Sequence, residues 1–98
     1  MPRRVDSNQA EIVNALRKMG VSVMIMSDLG KGCPDIAVGV SGRNYFFELK
    51  DGRKCPSQRK LTDYEEKFHA EWKGHVCIIE STSQAIDFVN NLRVTLKF

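Results

Sequence analysis

With 98 residues, the chain is long enough for one domain that folds alone around a modest core. Its 42% apolar and 28% charged residues exclude a disordered chain, and no apolar run nears the roughly 18 residues of a membrane span. A net charge of +3 is too small to name a partner, so the placement of charge has to be read along the chain.

Residues 6–20, DSNQAEIVNALRKMG, predict a helix that Asp6 or Ser7 can cap and Gly20 ends. At about 100° per residue, Ile12, Val13, Leu16 and Met19 share one face with Ala15 at its margin, and Glu11 falls on the border beyond Ala15. Residues 21–27, VSVMIMS, predict a strand with Met24 and Met26 in the core, and DLGKGCP is loop. DIAVGV (35–40) and NYFFELK (44–50) are the next strands, separated by SGR. Thr62 and Glu65 form a capping box for a helix through about Trp72, ended by Gly74. HVCIIE (75–80) predicts a buried strand. Ser81 and Gln84 form a second box, opening a last helix with Ile86, Val89 and Ala85 inward; the tail RVTLKF alternates without an assigned role.

The order is helix, three strands, helix, strand, helix (αβββαβα). A helix between the third and fourth strands suits a parallel crossover in an otherwise antiparallel group. The expectation over residues 1–98 is therefore one α/β domain with a mixed four-stranded sheet flanked by helices.

Charged residues in the second and third strands raise the functional question, because a buried carboxylate or ammonium costs free energy unless paired or metal-bound. Asp35, Ala37 and Gly39 share one face of their strand, and Phe46, Glu48 and Lys50 share one face of theirs. A three-residue loop, Ser41 to Arg43, would pair Asp35 with Leu49 and send the two acids to opposite faces. A two-residue loop, Gly42-Arg43, suits a type II′ turn with glycine first and pairs Asp35 with Lys50 and Ala37 with Glu48 on one face. Asp35 and Glu48 are then diagonal neighbours about 7–8 Å apart, able to converge on one ion. Two carboxylates plus waters suit Mg²⁺ or Mn²⁺, and the Leu49 carbonyl is a further candidate oxygen ligand. Lys50 fits as the group that orients the attacking water or stabilises charge on a phosphate. The plain alternatives are an Asp35–Lys50 ion pair across the strands and a solvated strand edge.

The blocks GKGCPDIAVGVSGRNYFFELKDG and LTDYEEKFHAEWKG resemble small phage and bacterial VRR-NUC (virus-type replication-repair nuclease) proteins of the PD-(D/E)XK superfamily, often described as Holliday-junction-resolvase-like. The likeness runs over about residues 8–88 and rests on Gly-x-Pro-Asp and Glu-x-Lys-Asp-Gly, with Phe-His-x-x-Trp-x-Gly as support. It implies a restriction-endonuclease-like core, Asp35 and Glu48 as metal ligands, Lys50 as the catalytic lysine, and Glu11 as an acid beside the metal. It also implies branched DNA as substrate, a homodimer, and work in the cytoplasm of a bacterial or phage-infected cell, without membrane or nucleotide cofactor. Where family members often carry a glutamine in the second helix, the best-matching position here is Glu66, whose carboxylate would repel a phosphate unless metal-bound.

The remaining charge fits this reading. Arg53, Lys54, Arg59 and Lys60 follow the site directly, with Arg3, Arg4 and Lys31 as further candidates to neutralise DNA phosphates. No apolar segment follows Arg3-Arg4 as a secretory leader needs. Cys33, Cys55 and Cys77 show neither a Cys-x-x-Cys pair nor zinc spacing, which predicts free thiols in a reducing compartment. His69 is expected on a helix surface, His75 at a strand start, and Phe68 with Trp72 as a core pair. Three functions follow: a Mg²⁺- or Mn²⁺-dependent structure-selective DNA endonuclease of replication, recombination or repair, a DNA-binding module that cuts weakly or not at all, or a purely structural metal site.

Overall fold

The computed structural model describes residues 8–95, so Arg3, Arg4 and the expected caps Asp6 and Ser7 lie outside the described residues. The elements are α1 (Gln9–Lys18), β1 (Ser22–Ile25), β2 (Ile36–Val40), β3 (Arg43–Leu49), one 3-10 turn (Pro56–Gln58), α2 (Asp63–Glu71), β4 (Val76–Ile79) and α3 (Thr82–Thr95). The sheet order is β1-β2-β3-β4, antiparallel up to β3 and parallel between β3 and β4 across the α2 crossover. The described residues thus form a small single-domain α/β fold with a mixed four-stranded sheet and three α-helices.

Alternation along the strands builds two chemically different faces. Ile36, Val38 and Val40 of β2 join Tyr45, Phe47 and Leu49 of β3 on one face, closed by Ile12, Val13 and Leu16 of α1 and Ala85 and Val89 of α3. Phe88 of α3 meets the Tyr45 and Phe47 rings edge-on at 5.4 and 5.1 Å. On the opposite face Phe46 packs against Phe68 and Trp72, whose rings stack at 5.1 Å. Trp72 remains 46% exposed, so the expected core pair is a satellite cluster at the rim.

The turn between β2 and β3 differs from the glycine-first reading. Ser41 and Gly42 occupy the two central positions with φ of +54° and +78°, the type I′ pattern, and Val40 pairs with Arg43. Continued by one residue, this register sets Asp35 directly opposite Glu48, rather than Ala37 opposite Glu48 and Asp35 opposite Lys50. The slip is two residues, so every side chain keeps its face; a slip of one would have reversed them all.

Three further expectations are corrected, and part of the unassigned tail finds its place. Ile86 is only half-buried, and Phe88 and Leu92 pack against the core with Ala85 and Val89. Arg93 to Thr95 of the alternating tail are helical, anchored where Arg93 Nη2 donates to the Met19 carbonyl at 2.6 Å. β4 lies at a sheet edge with Ile78 40% exposed, since its outer side has no strand partner among the described residues. Met26 is buried but Met24 is exposed, because it shares the face of its partner Ala37 at the other sheet edge. The capping box of Thr62 and Glu65 forms in full, and Gly20 takes the left-handed conformation.

Candidate metal centre

Asp35, Glu48 and Lys50 meet on the sheet face that α2 covers, and all three are almost completely buried. Asp35 Oδ2 accepts from the Leu49 N–H at 2.7 Å, a short charge-assisted bond that fixes this carboxylate to the neighbouring strand. The Asp35 N–H in turn donates to the Phe47 carbonyl at 3.1 Å, and its carbonyl accepts from Met26 at 2.7 Å. Glu48 shares a hydrogen bond with the Asp35 side chain. Burial first, then the bond to Asp35 and the charges of Asp35 and Glu65, push the Glu48 carboxyl up to about 10 against the opposing pull of Lys50. Glu48 therefore holds a proton at neutral pH.

Glu65, from the first turn of α2, is the residue that the sequence reading did not place here. Its Oε1 accepts from Lys50 Nζ at 2.8 Å, while Glu48 Oε2 stands 3.9 Å from the same nitrogen. Burial acts to raise the Glu65 carboxyl, but hydrogen bonds from Lys50 and the Thr62 N–H outweigh it and hold the group below its ordinary value. Glu66, the position matched to the family glutamine, is exposed. The signal for Glu65 was present in the sequence as the capping box, whose fourth residue faces inward at the end of β3. His69, one turn along, is half-buried rather than on the surface; its Nε2 has no partner, and burial lowers its affinity for a proton.

Glu11 is not brought to this cluster. It is exposed on α1, which packs on the other face of the sheet, and it lines a cleft of about 530 Å³ with Asn8, Asp51, Arg53, Arg59 and the start of α3. Asp51, one residue past Lys50 and turned the other way, is buried and takes a two-point contact from the Arg53 guanidinium at 2.9 Å. Arg59 donates to Glu80 at 2.6 Å. Two of the expected DNA-contacting arginines are thus paired with acids inside the cleft, while Lys31, Lys54 and Lys60 stand exposed. Asn8 spans the base of the cleft, its amide donating to the Lys50 carbonyl at 3.1 Å and the Glu80 carbonyl at 3.3 Å.

Asp35 and Glu48 suit the expected divalent ion. Glu48 Oε1 is buried without a hydrogen-bond partner, inside a pair of carboxylates that repel each other when both are charged. A cation is the group that removes both costs, and Mg²⁺ is commonly held by one or two carboxylates with waters. Among the described residues no group of three or more His, Cys, Asp or Glu side chains is arranged as a metal cage. The fit therefore rests on Asp35 and Glu48. No disulfide links the described cysteines, and no described helix is long and apolar enough to cross a membrane. Comparison of the chain with protein-family models, with curated proteins and with solved structures gave no match.

Proposed function

We propose that the protein is a Mg²⁺- or Mn²⁺-dependent endonuclease of the PD-(D/E)XK type, similar to VRR-NUC proteins, that hydrolyses phosphodiester bonds in branched DNA. The observation that carries this reading is the orphaned Glu48 Oε1 beside Asp35, with the Lys50 ammonium on the same face. Asp35 and Glu48 would hold the ion, which supplies an acidified water and neutralises charge on the phosphate. The Leu49 N–H fixes Asp35 in place, and Lys50 offers a fixed positive charge where phosphate charge develops. Exposed Lys31, Lys54 and Lys60, together with Arg3 and Arg4, supply phosphate contacts, and a homodimer would present two such sites to a junction.

The test is cleavage of four-way-junction, duplex and single-stranded DNA by the purified protein with each metal. Asp35→Ala and Lys50→Ala should each lower the rate by a factor of about 10²–10³ or more, the scale of removing one stabiliser of transition-state charge. Cleavage that persists in both variants would assign the activity to a contaminant. The second reading, a nuclease fold that binds DNA and cuts weakly, is favoured by one observation: Lys50 is already paired with Glu65. It predicts salt-sensitive junction binding with no product under any metal.

A further inference from the structure

Hydrolysis by this site requires a phosphate to reach Lys50, yet Lys50 is only 8% exposed and Glu48 only 1%. The cover over them has two parts. Glu65 holds the ammonium at 2.8 Å, and the same Oε1 accepts from the Thr62 N–H at 2.9 Å, so one carboxylate both grips Lys50 and closes the first turn of α2. Beside it, Gly32 at φ +78° lies against the backbone of Tyr64 and Glu65 so closely that a β-carbon would overlap the Tyr64 carbonyl. The loop between β1 and β2 and the start of α2 thus close together over the cluster.

Resting on the nuclease reading, we infer that Glu65 occupies the seat on Lys50 that a phosphodiester oxygen takes, and that the start of α2 is a latch the DNA must displace. Carboxylate and phosphate oxygens make the same charge-assisted bond to an ammonium, and two anions cannot share it in a buried site without repulsion. Glu65 is therefore a positioning residue: it holds the Lys50 ammonium at 2.8 Å, closer than Glu48 at 3.9 Å, and competes with substrate. Losing one such bond changes the population of the opened state by roughly ten- to a hundredfold.

Glu65→Gln separates the latch from the cap, because the amide oxygen still accepts from the Thr62 N–H while the charge is gone. The readout is acylation of Lys50 by an amine-reactive ester, followed by peptide mass spectrometry with exposed Lys60 as the internal reference. Lys50 should be modified about tenfold faster relative to Lys60 in Glu65→Gln. The reaction is run well below the unfolding transition of the variant, where loss of the buried pair lowers stability without unfolding the chain. Gly32→Ala, which forces the loop off α2, should raise the same rate. Junction DNA should bind Glu65→Gln several-fold more tightly and protect its Lys50. Cleavage by the wild type with Lys50 equally protected in both variants overturns the latch. A Lys50 that opens in Glu65→Gln while neither protein binds or cuts DNA overturns the nuclease reading instead.

Discussion

Lys50 and Asp51 are adjacent in the chain and almost equally buried, yet they serve two regions that differ in kind. Lys50 enters a buried cluster, where its ammonium meets Glu65 at 2.8 Å and Glu48 at 3.9 Å. Asp51 closes the inner wall of an open cleft, where its partner Arg53 has a side chain that is 71% exposed. The alternation of a strand makes this division, since consecutive residues leave on opposite faces. What separates the regions is water: where it is excluded, losing a partner leaves an unsolvated charge, and where it enters, solvent takes the partner's place.

The largest expected effect that tests this contrast comes from Lys50→Met. It leaves Glu65 buried without its cation, and stability should fall by about 3 kcal/mol, read by urea denaturation at pH 7. A loss no larger than that of a surface substitution would mean that water reaches the cluster freely.

Glu48→Gln gives the next effect, and its sign depends on pH. In the folded chain the carboxyl keeps its proton up to about 10, whereas at its ordinary 4.5 the unfolded chain has released it. Folding therefore takes up a proton between these values, and stability contributed by this group declines as pH rises through that window. The amide variant lacks the slope. It should match the wild type near pH 4 and exceed it by ~2 kcal/mol or more at pH 8, by denaturant titration at both pH values. Parallel pH profiles for the two proteins would place the proton elsewhere.

In the cleft, Arg59→Ala breaks a short contact to Glu80 at a site that solvent already reaches, the two side chains being 26% and 36% exposed. The cost should stay within ~1 kcal/mol and shrink as salt is added, measured by the melting temperature across ionic strengths. A salt-independent loss larger than that would make the cleft as closed as the cluster.

How much of this was legible in the sequence depended on whether the deciding interaction was local. The Thr62 and Glu65 capping box and the Gly20 terminator are set within one turn of chain, and both form as read. The shared face of Asp35 and Glu48 survived a misplaced turn because face depends on parity alone. The turn itself was misread because Gly42 suits either central position, and only the left-handed Ser41 decides between them. Long-range packing accounts for the remaining differences. Ile86 gave way to Phe88 because the Tyr45 and Phe47 rings, distant in sequence, set the rotation of α3. Border-face Glu11 could not signal which side of the sheet its helix would cover. Glu65 was read for the backbone group it caps, and the lysine it also holds comes from a different element.

Asn8 has a consequence for both regions. A single amide grips the carbonyls at the ends of two parallel strands, just where one chain segment departs toward Asp51 and the other toward Ser81. The pair of strand ends behaves like two leaves hung on one pin. Any ligand that levers the cleft wider therefore pulls on the backbone of the residue whose side chain carries the guarded ammonium, a mechanical link from one face of the sheet to the other.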